Sequence, residues 1–240
     1  MDSHTGSLTM DPVRPGSGGI QPRTREMPAA KDHILLRWLY ERLTRKDPPR
    51  PADVIFVLAG RLERKHFGLE LYRAGFAPRL ILSVGRFEIS KMAGSTFDFV
   101  ADLKAVRDRT APGRRHFFCD IDAFGTRICN AGLRRWSTYG EAIGFREYLA
   151  DSRPARVIVV STDIHLRRAA LTFERVFRDL AVEFSYCPVP GVRSSLIRPE
   201  WWTRSADRGY VFSETLKLIG YRIILVMPDW MTRFLMRLDH

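Results

Sequence analysis

The chain has 240 residues, 45% of them hydrophobic and 28% charged, with 39 Lys and Arg against 27 Asp and Glu for a formal charge of +12. That length and hydrophobic content suit one domain with a core of its own and exclude disorder for the bulk of the chain. Its three cysteines, Cys119, Cys129 and Cys187, are odd in number and lack CxxC spacing, which excludes a disulfide framework and a zinc ribbon and points to a reducing compartment.

Residues 1–30 have no apolar period and contain Pro15-Gly16-Ser17-Gly18-Gly19, so they read as a flexible leader ahead of a single domain over 31–240. A secretory signal needs a run of about 7–15 apolar residues, which this stretch lacks. The longest apolar run near either end, Ile223 to Met227, stops at Pro228, well short of the ~20 residues that span a bilayer. A cytoplasmic location is therefore expected. Arg supplies most of the positive charge and is spread along the chain without a long cationic run, so nucleic acid is not an expected partner.

In chain order, Ile34, Leu35, Trp38, Leu39 and Leu43 recur near the helical period and predict a helix over 33–43, ended before Pro48-Pro49. Short, almost continuously apolar runs follow at 54–58, 80–84, 116–119, 157–160 and 184–187. That pattern is what parallel strands covered on both faces require. Helical spacing occupies 62–74, 97–109, 139–150 and 166–177 between them. The alternation predicts an α/β fold: a doubly wound, mainly parallel Rossmann-like sheet of about five strands with helices on both faces. Its strand-to-helix loops then share one edge, where such folds take their ligands. Residues 120–136, with Gly125 and Gly132, read as a long connection, a lid or a surface excursion. A helix is predicted from 209 to 226. Beyond Pro228, Trp230, Met231, Phe234, Leu235 and Leu238 form a second apolar stripe, near Arg222, Arg233 and Arg237. It suits packing on the domain or peripheral contact with anionic lipid at the inner face of the membrane.

Four segments carry candidate chemistry. Ala59 and Gly60 follow the first strand, with Arg61 and Arg64 beyond them, and Ser83 and Gly85 close the second, ahead of Arg86. Small residues there let backbone N–H groups at a helix start approach an anion. Thr138, Tyr139 and Glu141 open a helix, where Ser137 or Thr138 with Glu141 also makes a capping box. The fourth segment, Val160-Ser161-Thr162-Asp163-Ile164-His165-Leu166-Arg167-Arg168-Ala169, runs from a buried strand into hydroxyls and a carboxylate. His165 and Arg168 stand three positions apart on one helical face. A histidine titrates near neutrality, and an arginine fork grips carboxylate or phosphate. Asp163 and His165 also suit plain capping and core roles.

These four ordered segments resemble the YdcF-like family of bacterial proteins, also represented by SanA and ElyC. Asp53 to Gly60 is similar to the family's Asp-x-Ile-Val-Val-Leu-Gly-Gly start, followed by Arg64 and Leu71-Tyr72-Arg73-Ala74-Gly75. Ser83-Val84-Gly85 resembles Ser-Gly-Gly. Thr138 to Ala142 resembles a shortened Ser-x-Asn-Thr-x-Glu-Asn-Ala, and 160–169 resembles Val-Thr-Ser-x-x-His-x-x-Arg-Ala. The chain departs from the pattern at Ala59, Val84 and Gly140-Glu141. The resemblance implies a Rossmann-like sheet with the motifs converging at its C-terminal edge, a nucleotide-like or other anionic ligand with S-adenosylmethionine among the candidates, and a link to envelope and peptidoglycan precursor upkeep.

Two readings follow. In one the protein is a hydrolase or transferase acting on a phosphorylated or nucleotide-type molecule. His165 is then general acid or base, Arg168 and Arg64 hold the anion, Ser161, Thr162 and Thr138 orient it, and Asp163 or Glu141 orients the imidazole. A divalent metal is a further option, although the spacing offers no ligand triad. In the other reading the same pocket binds without turnover, as a regulatory or envelope-associated module.

Overall fold

A computed structural model describes residues 33–240 except 93, 96, 132–137, 192–197, 229, 233 and 235–240. The leader, Ser137, and Leu235 and Leu238 of the terminal stripe lie outside the described residues.

Six strands form one sheet in the order β4-β3-β2-β1-β5-β6: β1 (Val54–Val57), β2 (Leu80–Gly85), β3 (His116–Asp122), β4 (Gly125–Asn130), β5 (Arg156–Ser161) and β6 (Glu183–Pro188). The helices are α1 (Ile34–Leu43), α2 (Leu62–Arg73), α3 (Arg86–Ile89), α4 (Val100–Asp108), α5 (Thr138–Tyr148), α6 (Asp163–Val176) and α7 (Ser205–Leu225). The pairs β1–β2, β1–β5 and β5–β6 are parallel, whereas β2–β3 and β3–β4 are antiparallel. The fold is thus α/β with a mixed, mostly parallel sheet, consistent with a Rossmann-like arrangement.

The apolar runs of the sequence serve two cores at once. Along β1, Ile55 and Val57 pack with Leu71 of α2 and Leu103 of α4, while Val54 and Phe56 pack with Phe145 of α5 and Phe173 of α6. Ile158 and Val160 of β5 join the first cluster, and Val157 and Val159 the second. Strands buried on both faces alternate between two layers of helices, so their runs are almost continuously apolar, with the polar exceptions Ser83 and Ser161 near their C-terminal ends. Phe56 stacks on Phe145 at 4.0 Å between ring centroids and anchors the second cluster. Asp53 ties the two central strands at their start, its Oδ2 accepting the N–H groups of Ala155 and Arg156 at 2.8 Å each.

Two expectations need correction. The sheet has six strands rather than about five, and residues 120–136 are not simply a connection: their first part completes β3 and makes β4. The turn is set by Asp122, whose Oδ1 accepts the Phe124 N–H at 2.8 Å, and by Gly125 at φ +132°. Strand β4 is the sheet's edge, largely exposed and without apolar alternation, which is why no strand pattern marks it. Its Arg127 and the incoming Arg79 both bond the Asp120 carboxylate, buried in β3, at 2.9 Å.

A third cluster, with Tyr40 and Leu43 of α1, Ile164 of α6, Trp201, and Val211 and Leu218 of α7, packs the first and last of these helices over α6. Among the described residues, no helix is long and apolar enough to cross a membrane.

Gly68 shows how tightly α2 lies on the sheet: a Cβ there would stand 2.3 Å from Val57 Cγ2, and a β-branched strand residue has little freedom to turn away. Helix propensity alone favours Gly68→Ala by about 1 kcal/mol. Packing dominates, and the variant is expected to lose about 1–3 kcal/mol in urea unfolding.

Candidate functional site

After β1 the chain steps outward through β2, β3 and β4, then returns to the other side of β1 as β5. The loops leaving β1 and β5 therefore diverge, and the crevice at the C-terminal ends of those strands is where open α/β sheets take ligands. An open cleft of about 930 Å³ lies there, lined by the β1–α2 loop, α3, the starts of α5 and α6, and α7.

The floor of the cleft is made of the protein's own ion pairs. Gly60 turns the chain at φ +131°, and a Cβ there would stand 2.9 Å from Arg64 Nη1. Its N–H donates to Glu88 Oε1 at 2.7 Å, and the same oxygen accepts the Gly85 N–H at 3.0 Å. Lys65 Nζ donates to the other oxygen, Glu88 Oε2, and to the Leu58 carbonyl at 3.2 Å, from a side chain with no exposed surface. Glu141 Oε1 accepts the Ala59 N–H at 2.8 Å and the Ser83 hydroxyl at 2.6 Å. With its proton on Glu141, Ser83 Oγ is left to accept from His116 Nε2 at 2.7 Å. The amides of Ala59, Gly60 and Gly85, expected to meet an anionic ligand, are thus already held by Glu141 and Glu88.

The opposite wall follows the same rule. Arg64 donates to the Ala59 carbonyl at 2.5 Å and to Thr162 Oγ1 at 2.9 Å, while its Nε is buried with no hydrogen-bond partner among the described residues. The Arg168 fork closes on Glu214 of α7, with Nη2 at 3.0 Å and Nε at 3.2 Å from Glu214 Oε2, and its Nη1 donates to Thr138 Oγ1 at 2.5 Å. Because Arg168 can only donate, the Thr138 hydroxyl proton is left for His165 Nε2, 3.2 Å away. His165 then gives its Nδ1 proton to Ser161 Oγ at 2.8 Å. Burial first, and then the cations Arg168, Arg64 and Lys217, hold His165 far below the usual imidazole range. That direction favours the neutral imidazole and leaves the expected role as general acid or base to the proposal below.

The structure brings most of the singled-out residues together, but not all. Ala59, Gly60, Arg64, Gly85, Thr138, Glu141, His165 and Arg168 line the cleft. Ser83, Ser161 and Thr162 lie buried just behind it, on Glu141, His165 and Arg64. Asp163 does not orient the imidazole: its Oδ2 accepts the Tyr40 hydroxyl of α1, and its Oδ1 the Ile164 N–H at 2.9 Å. Glu141 does not orient it either, being bonded to Ala59 and Ser83. Tyr139 lines a separate groove of about 310 Å³ between α5 and α6.

Sequence reasoning missed Lys65, Glu88, Glu214, His116, Tyr210 and Tyr221. Glu88 had a signal, standing three residues after a helix-opening Gly85 as capping carboxylates do. Asp207, Glu214 and Tyr221 recur every seven residues on α7, a polar line that a helical projection of 205–225 reveals. At the mouth, Arg61, Lys91 and Lys217 are exposed, with Phe87 and the partly buried rings of Tyr210 and Tyr221 beside them. Arg61 lies 5.4 Å over the Tyr210 ring. Among the described residues, no three His, Cys, Asp or Glu are grouped to hold a metal ion.

No protein-family model, curated protein or solved structure matches this chain.

Burial also pushes the His116 imidazole down to about 4. A histidine held neutral when folded but titrating near 6.5 when unfolded makes stability fall as pH drops from about 6.5 toward 4. The loss from His116 alone is about 2–3 kcal/mol by pH ~4.5. Guanidinium midpoints measured at intervals from pH ~7.5 to ~4.5 should show a fall to which both histidines contribute, and His116→Gln should reduce it by the His116 share while leaving that of His165.

Proposed function

We propose that this protein binds a phosphorylated or nucleotide-like small molecule in the cleft between the C-terminal ends of β1 and β5. The observation that carries the reading is the contrast between floor and mouth. The floor's amides, carboxylates and guanidinium groups are bonded to one another, as is Lys217 to Glu214, whereas Arg61 and Lys91 present positive charge at the opening beside Phe87, Tyr210 and Tyr221. Aromatic rings suit a base, and exposed cations suit an anionic tail, a chemistry that nucleotides share with the adenine and carboxylate of S-adenosylmethionine. The ligand then rests on the floor and is gripped at the rim, rather than entering a phosphate cradle on the loop amides.

The YdcF-like resemblance belongs to this proposal, as does the doubly wound Rossmann-like topology it implies. Support comes from the meeting of all four motif segments around one cleft. A neutral, hydroxyl-bonded His165 favours binding over acid-catalysed turnover. The enzyme reading requires His165 or His116 to act as a base, and both are held well below neutrality.

A thermal-shift screen against nucleotides, sugar nucleotides, S-adenosylmethionine and inorganic pyrophosphate tests the proposal. A ligand at 100 times its Kd adds about 2.7 kcal/mol. Arg61→Ala with Lys91→Ala should leave the unliganded melting temperature in place and weaken the Kd by roughly tenfold or more. If none of these ligands moves the parent, or the double variant binds as well as the parent, the reading fails.

A further inference from the structure

Helix α7 has three faces with different surroundings. Val211, Leu218 and Leu225 are buried against the body of the protein, and Tyr210, Glu214, Lys217 and Tyr221 wall the cleft. The third face carries Phe212, Leu216, Ile219, Ile223 and Val226, spaced by four, three, four and three residues and exposed over 51–83% of their surface. At about 100° per residue these five fall within roughly 40° of one line along the helix, nearly opposite the cleft wall. A continuous apolar stripe of this length is uncommon on a surface that meets only water. Trp230 and Phe234, just beyond Pro228, and Ile34, Leu35 and Trp38 of α1 add exposed apolar surface on the two elements at the ends of the described chain.

The charges of α7 identify what covers the stripe. Its two acidic residues, Asp207 and Glu214, are buried, and its exposed charges, Arg208, Lys217 and Arg222, are all basic. A second copy of the helix would bring like charge against like, whereas an anionic surface complements both the cations and the apolar line. We infer that the exposed face of α7 is an interfacial docking surface for anionic phospholipid, on which the helix lies in the plane of the headgroups. Phe212, Leu216, Ile219, Ile223 and Val226 enter the acyl boundary, and Arg208 and Arg222 meet lipid phosphates. Because the stripe and the cleft wall occupy opposite faces of one helix, docking leaves the cleft open. The inference stands on residues separate from the rim cations Arg61 and Lys91 and holds whether or not the cleft binds a nucleotide.

The test is co-sedimentation of the full chain with vesicles of equal parts phosphatidylglycerol and phosphatidylcholine, and with phosphatidylcholine alone. The protein should pellet with the anionic vesicles and stay in solution with the neutral ones. Binding should weaken in ~1 M salt, where the screening length is about 3 Å. Leu216→Asp with Ile219→Asp, at exposed positions that leave the melting temperature in place, should reduce binding roughly tenfold or more. Arg222→Glu, which keeps the stripe whole, should reduce it several-fold. A parent that ignores anionic vesicles, or a stripe variant that binds them as well as the parent, overturns the inference. So does a parent dimer, measured by light scattering, that the stripe variant converts to monomer, since a second copy then covers the stripe.

Discussion

The Glu88 carboxylate, paired with Lys65 beneath the first loop, is the contact on which the C-terminal edge of the sheet depends. One of its oxygens holds the amides of Gly60 and Gly85, and the other meets an ammonium that also bonds the Leu58 carbonyl. The pair therefore joins the ends of β1 and β2 at the point where both strands turn into helices. Burying two charges is costly unless each is fully hydrogen-bonded, and here the loop backbone supplies the remaining partners. Glu141 repeats the device on the other side of β1, linking Ala59 to Ser83 and through it to His116. Gly60 cannot be replaced cheaply in this arrangement, because its backbone turns with positive φ and Arg64 lies against it.

The consequence for chemistry is a cleft whose interior groups are largely bonded to one another, Arg64 Nε being the exception named above. Each buried cation near the floor faces a carboxylate or a carbonyl, and each imidazole is held neutral by burial. Such a floor is preorganised and rigid, which suits recognition. The adaptable groups are at the rim, where Arg61 and Lys91 keep water contact and can reach an anion without first breaking a buried pair, whereas Lys217 Nζ donates to Glu214 Oε1 at 3.0 Å. Helix α7 completes the site by supplying Glu214 to Arg168 and Tyr210 and Tyr221 to the mouth, so the C-terminal helix is as much part of the cleft as the loops of the sheet.

Much of the fold was legible because its central strands are buried on both faces and leave continuous apolar runs. Strand β4 was not, since an exposed edge needs no such run. The antiparallel placement of β3 was also hidden: a connection that carries α3 and α4 reads as a parallel crossover, and nothing local in His116 to Cys119 reveals its direction. At the site, the positions were legible and their partners were not. Arg168 and Glu214 stand 46 positions apart, and Ala59 and Glu141 stand 82 apart, so only the folded chain shows that they satisfy each other. The hydroxyls and cations that suggest a ligand cradle in one dimension turn out, in three, to bond their neighbours. Asp163 shows the same limit: its place ahead of His165 suggested an orienting carboxylate, and Tyr40, 123 positions earlier, takes it instead.

The most direct measurement is a double-mutant cycle on the Lys65–Glu88 pair, with Lys65→Met, Glu88→Gln and both together unfolded in guanidinium. Each single change leaves a buried partner unpaired and is expected to lose about 3–5 kcal/mol, while the double variant loses clearly less than the sum because no charge remains uncompensated. Small, additive losses at the two positions would contradict the account, and would mean that the loops at the sheet edge are held by something other than this pair.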